Sequence, residues 1–183
     1  MTASPELVRV AVDGPPIAGP DALAGSLDEP VRTLGRPFVH VSAQGFLRDA
    51  SVRLEYGRED VDAYLGWLDD GALRREVLQT DGWYLPSLRD PVTNRATRAD
   101  RAVLPPSAIL VVSGSFLLGL GLPFDRVVHL AVSSTARRRR TTPEESWTLE
   151  AFDRYDAEVR PMDLADVVIR LDDPRHPAVR GLS

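Results

Sequence analysis

The stretch from Arg9 to Gly25, RVAVDGPPIAGPDALAG, holds the residue pattern best suited to chemistry. Gly14 and Gly19 have the spacing of G-x-x-x-x-G-K-[ST], a loop whose backbone amides and following helix cradle phosphate. The next two residues are Pro20 and Asp21, where that pattern needs a lysine and a hydroxyl. Proline carries no N–H, so Pro15, Pro16 and Pro20 remove donors from one short loop. Asp21 adds a negative charge where the outer phosphates would lie. Two unit charges about 4 Å apart repel by about 4 kcal/mol at an effective dielectric of about 20, which is about a thousandfold in affinity. All 22 basic residues are arginine, so no lysine can reach a phosphate or form a Schiff base.

Such a loop works only between a buried strand and a helix, and the surrounding sequence supplies both. Five β-branched apolar runs stand out: 8–14, 37–43, 108–114, 125–132 and 165–171. Runs of Val, Ile and Leu bounded by Gly, Ser, Asp or Pro suit strands covered on both faces, as in a parallel sheet. Helical patterns lie between them, in DALAGSLDEPVRTL after the first run, over 59–79 and over 146–159. Alternating strands and helices predict an α/β fold of three layers, a central five-stranded parallel sheet flanked by helices. Right-handed crossovers then bring the loops after the strands to one edge, where such sheets bind ligands. Residues 81–108 are less regular and read as a hairpin or extended loop, and the polar tail 172–183 is expected to fray. The whole chain, 1–183, reads as one domain with its core over about 8–171.

With the loops after the other strands added, the chain resembles the uridine kinase and phosphoribulokinase-like group of P-loop kinases over about residues 8–171. The first strand and loop of that group read V-A-V-D-G-x-x-G-A-G-K-T-T, against Val10-Ala11-Val12-Asp13-Gly14 and then Pro15 to Ala22 here, with Ala18, Gly19, Pro20 and Asp21 at the phosphate-loop positions. Its second strand ends V-S-x-D-D-F-H, against Val41-Ser42-Ala43-Gln44-Gly45-Phe46-Leu47. Its Y-x-x-x-x-x-D pattern is matched by Tyr84 and Asp90, and its V-V-D-G-x-F-L by Val111 to Leu117 with Ser113 at the aspartate. Its arginine-rich lid corresponds to 136–142, which holds Arg137, Arg138 and Arg140, and its A-D-V-V to Ala165–Val168.

The resemblance implies a P-loop NTPase-like fold and marks where phosphate, magnesium and acceptor would meet. At those places the residues depart from the group. Pro20 stands for the lysine, Asp21 for the magnesium-binding hydroxyl, Gln44 and Gly45 for two aspartates, and Ser113 for the strand-end acid. Gln44 can hydrogen-bond a sugar hydroxyl but cannot take its proton at neutral pH. These losses point to a non-catalytic binding or regulatory protein. The alternatives are an ATP- and Mg2+-dependent nucleoside or small-molecule kinase with an atypical site, or the same cleft serving another ligand or reaction. A substrate cleft at Gln44, Tyr84 and Asp90 and a lid of arginines are the candidate contacts, set against a solvated arginine face and a core-capping tyrosine. Asp13 is expected to be a structural strand-end hydrogen bonder.

Composition removes other classes. No cysteine is present, which excludes disulfides and thiolate chemistry and suits a cytoplasmic protein. His40, His129 and His176 have no metal-ligand spacing, so no metal centre is expected. A net charge of −5 gives no basic field for nucleic acid. No apolar run spans a bilayer, and the N-terminus lacks a basic and apolar leader pattern, so neither membrane association nor a signal peptide is expected. Ser113 and Ser115 flank Gly114 without the G-x-S-x-G elbow of a hydrolase. Trp67 and Trp147 fall on amphipathic patterns and read as core. The expected partners are a small molecule or nucleoside, a second copy of the chain or another protein.

Overall fold

The computed structural model describes residues 6–181. In chain order its strands are β1 (Val8–Asp13), β2 (Phe38–Ser42), β3 (Trp83–Tyr84), β4 (Ala102–Val103), β5 (Ile109–Gly114), β6 (Arg126–Ala131), β7 (Val167–Arg170) and β8 (Ala178–Arg180). Its α-helices are α1 (Pro20–Ser26), α2 (Asp28–Thr33), α3 (Ala50–Arg53), α4 (Val61–Leu65), α5 (Asp70–Leu73), α6 (Ser134–Arg140), α7 (Leu149–Glu158) and α8 (Pro161–Leu164). Each of the apolar runs read from the sequence forms a strand. The main sheet has 6 strands in the order β2-β5-β1-β6-β7-β8. The first five are parallel and β8 is antiparallel to β7. The sheet is therefore one strand wider than expected. The tail, expected to fray, supplies that strand: β7 has a free edge, and Ala178–Arg180 satisfies its backbone groups.

Burial explains the Val, Ile and Leu runs. Ala11 and Val12 are adjacent on β1, both 0 % exposed, and point to opposite faces. Ala11 joins a large cluster with Phe46, Leu73, Leu110, Phe152 and Tyr155. Val12 packs with Ala24 of α1, Val111 and Leu130 on the other face. A strand covered on both sides cannot show polar alternation.

Two helical patterns are interrupted where local groups compete. The first divides at Leu27 into α1 and α2, since Pro30 has no N–H to return to the preceding turn. The second, over 59–79, stops at Gly66, where the chain pairs Leu68 with Leu47 and Asp69 N–H donates to the Phe46 carbonyl (2.9 Å). Asp69 then caps α5 through Ala72 N–H (2.8 Å), and Arg74–Leu78 continue as a π turn. The hairpin expected within 81–108 is β3 and β4, paired antiparallel.

Register brings the chemistry-bearing residues to one edge. Asp13 lies opposite Gly114 on one side and His129 on the other, and Ser42 lies opposite Ser113. Sheet order reverses around β1, so the loops after β1 and β5 diverge there and leave a crevice.

Candidate functional site

The loop after β1 closes on itself. Gly14 N–H donates to the Gly114 carbonyl (3.0 Å), Ala18 N–H to Pro15 (2.8 Å) and Gly19 N–H to Pro16 (3.0 Å). Pro16–Ala18 form one 3-10 turn, and Gly19 takes a left-handed conformation (φ 71°) before Pro20 begins α1. Pro15, Pro16 and Pro20 have no N–H to offer. The Ile17 carbonyl accepts from the Arg140 guanidinium, which ties the loop to α6. Two glycines are set by close approach. A Cβ on Gly14 would lie 2.8 Å from Leu130 Cβ, and one on Gly114 2.7 Å from Ala43 Cβ.

Asp21 does not project into an open phosphate seat. Ser113 Oγ donates to Asp21 Oδ1, and Ser42 Oγ donates to Asp21 Oδ2 at 3.1 Å. His40 Nε2 lies 2.7 Å from Ser113 Oγ. The one hydroxyl proton of Ser113 goes to the carboxylate, so the network places the His40 proton on Nε2. Burial holds the His40 pKa below its usual value, and the nearby Asp21 carboxylate opposes part of that shift. A catalytic Ser-His-acid relay has histidine between the other two, whereas here serine is central and fully buried. In P-loop NTPases the loop gives the hydroxyl and the strand gives the carboxylate that hold magnesium. This chain has the carboxylate on the loop and the hydroxyl on the strand.

Behind the loop lies a second polar cluster. Asp13, 0 % exposed, bonds His129 Nδ1 through Oδ2 (2.7 Å) and accepts Leu117 N–H at Oδ1 (2.9 Å). Tyr155 Oη donates to Asp13 Oδ2 (3.2 Å) and accepts Leu118 N–H (3.0 Å). Burial and the Asp13 charge push the Tyr155 pKa far up, so the phenol stays protonated as a donor. The cluster fixes the loop after β5 and bends Phe116 into a left-handed conformation (φ 61°). Its ring then stacks on Phe152 at 4.7 Å.

Beside the loop is a cavity of about 580 Å³. Pro15, Pro16 and Ile17 form one wall, and Tyr64, Trp67, Phe116, Trp147 and Phe152 form an aromatic side. Tyr64 meets Trp67, Phe116 and Trp147 edge-on at 4.9, 5.3 and 5.0 Å. Burial, with the charge of Glu145, pushes its phenol up to about 12, so it is neutral near pH 7. Gln44 lines this cavity and also an open groove with Asp21, Ser42 and Asp90.

The structure thus brings together Gly14, Ala18, Gly19, Pro20, Asp21 and Ser113, with Gln44 beside them. Asp90 reaches the groove, but its carboxylate caps its own turn, accepting from Val92 N–H (3.0 Å) and Thr93 N–H (2.7 Å). These bonds hold its pKa below the usual carboxylate range. Tyr84 sits in the β3–β4 hairpin against the core and lines neither space. The arginines at the expected lid divide between inside and outside: Arg137 is buried, while Arg138 and Arg139 are exposed. Arg137 is 3 % exposed and pairs with Asp153 (2.8 Å) and Asp156 (2.7 Å). Arg138 pairs with Asp153 (2.7 Å), and Arg140 donates to the carbonyls of Leu171 and Ile17. Asp153 and Asp156 both lie on α7, so that helix supplies the carboxylates for Arg137 and Arg138. Trp67 and Trp147, read as core, are cavity walls. Tyr64, Phe116 and Phe152 carry the same core-like signal, so hydrophobic periodicity could not mark them.

The fold is P-loop NTPase-like, and solved structures described as kinases are among its neighbours. A possible uridine kinase from Bacillus stearothermophilus superposes with a TM-score of 0.71 at 21% identity, covering 92% of this chain and 90% of its own. A candidate fructose transport system kinase from Silicibacter sp. TM1040 gives 0.61 at 20% identity, over 90% of this chain and 88% of its own. No protein-family profile and no curated protein sequence matches the chain. Among the described residues no helix is long and apolar enough to cross a membrane, and no cluster of three or more His, Asp or Glu could hold a metal ion.

The fold implies ATP and magnesium, and the residues do not fit them. The loop amides named above are committed to carbonyls. The single carboxylate of the exchanged pair is bonded to two serines.

Proposed function

We propose that this chain is a non-catalytic ligand-binding or regulatory protein on a uridine-kinase-like scaffold, a pseudokinase that keeps the acceptor cavity and does not transfer phosphate. One observation carries this reading: the amides of Gly14, Ala18 and Gly19 are already bonded to carbonyls while the cavity next to the loop remains open. Phosphoryl transfer depends on positioning and on charges that stabilise the moving group. Here Asp21 adds the wrong charge, Gln44 cannot serve as base, Arg137 and Arg138 of α6 are paired with Asp153 and Asp156, and Arg140 is bonded to backbone carbonyls. The cavity suits a small molecule with an aromatic or sugar ring, since about 300–1,000 Å³ with apolar walls is usual for such ligands.

The test is calorimetry of the full chain with ATP and Mg2+ at millimolar concentration. No heat of binding is expected. Micromolar binding that is lost in Asp21→Ala would overturn the reading and favour an atypical kinase.

A further inference from the structure

The charges lining the cavity do not balance. Arg137 is neutralised by Asp153 and Asp156. Among the described residues Arg53 makes no ion pair: the nearby Asp49 carboxylate pairs instead with Arg89 (2.9 Å), which leaves one of these two guanidiniums unmatched. The Arg53 guanidinium donates to the Arg48 carbonyl (2.8 Å) and Asn94 Oδ1 (3.0 Å) and lies 4.8 Å from the Trp67 ring centroid. Arg58, also on the lining, makes no hydrogen bond or ion pair among the described residues. The carboxylate of Glu145 is the lining acid, and it makes no hydrogen bond or ion pair among the described residues. Two uncompensated cations against one anion leave one net positive charge. A separate observation points the same way. Arg137 Nε is the buried side-chain nitrogen left without a hydrogen-bond partner among the described residues, and Arg137 lines this cavity. The wall formed by the loop, Pro15, Pro16 and Ile17, is apolar. Polarity is thus the reverse of a kinase site: the cations lie on the 53–58 side and the phosphate-loop side is greasy.

We infer that the cavity binds a small organic monoanion, an aromatic or otherwise apolar body bearing one carboxylate, with the carboxylate toward Arg53 and Arg58. This rests on the cavity being a ligand site, as proposed above. One net positive charge matches a carboxylate and not a phosphate dianion; the guanidinium fork fits either group, so the charge count makes the choice. The ring lies against Phe116, Trp147 and the prolines.

The experiment compares 2-naphthoate with 2-naphthamide, which share a shape and differ in charge, by calorimetry on the full chain. The acid is expected to bind at least about tenfold more tightly, as for a charge-assisted hydrogen bond in a half-buried setting. Arg58→Gln, at an exposed residue with no structural partner, reduces that preference to about threefold or less without changing amide affinity. Arg53→Gln does the same through a second site. Equal binding of acid and amide overturns the inference. So does a preference unchanged in both variants, or binding of neither compound at millimolar concentration. Uridine, a neutral nucleoside, separates the two readings. If uridine binds and naphthoate does not, the cavity stands as a ligand site and the anion inference falls. ATP binding would instead sink the non-catalytic reading and leave this one standing.

Discussion

At the scale of single residues, the exchange of Asp21 and Ser113 is the most informative feature. A carboxylate brought next to strand β5 meets a hydroxyl where a second acid would have repelled it. The two form a hydrogen-bonded pair, Ser113 donating and Asp21 accepting. In a double-mutant cycle by urea unfolding, Asp21→Ala and Ser113→Ala are each expected to cost about 1–2 kcal/mol, with a coupling of about 1 kcal/mol. Additive effects would show that the two groups do not support each other. His40 adds a pH dependence. Its folded pKa lies below the ordinary 6.5, so the unfolded chain binds the proton more readily. Its contribution is complete above the unfolded pKa and declines as pH falls from there toward the folded value. Urea midpoints are expected to rise with pH across that window, and His40→Gln, which keeps a donor toward Ser113, flattens the rise.

At the scale of elements, the close approach of strand ends decides which glycines matter. Gly14 and Gly114 let β1 and β5 deliver their loops within van der Waals reach of Leu130 and Ala43. Gly114→Ala forces its new methyl against Ala43 and is expected to destabilise by about 2 kcal/mol, as overpacking does. Gly25, on α1 with nothing within 4 Å of its would-be Cβ, is the control. Gly25→Ala is expected to stabilise by about 0.5–1 kcal/mol through helix propensity. Thermal denaturation of the pair distinguishes packing from backbone entropy. The strands themselves were legible in the sequence because a strand buried on both faces must be apolar at every position. The helices over 20–33 and 59–79 were legible as patterns but not in their breaks. A cap at Asp69 and a missing amide at Pro30 outweighed periodicity there, and the Leu47–Leu68 bridge joins segments that are apart in sequence.

For the molecule as a whole, the acidic net charge of −5 and the absence of lysine leave recognition to arginines, and most near the cleft are engaged internally. The open volume lies beside the loop, not within it. That distribution underlies both the expected silence toward ATP and the expected preference for a carboxylate. The altered loop was readable because its residues are contiguous, from Gly14 to Asp21. The partners that give those residues meaning are 92 positions away for Ser113 and 123 for the Arg140–Ile17 contact. The chain alone therefore determined the strands, their burial and the chemical inventory of the loop after β1, since local propensity and residue type depend on near neighbours. Only the tertiary structure decided that Asp21 is held by serines, that Arg137 and Arg138 are paired with α7 while Arg140 holds the carbonyls of Leu171 and Ile17, and that Tyr64, Trp67, Phe116 and Trp147 enclose a cavity. Aromatic residues at helical spacing bury the same surface against a core or around a ligand, and only their packing tells the two apart.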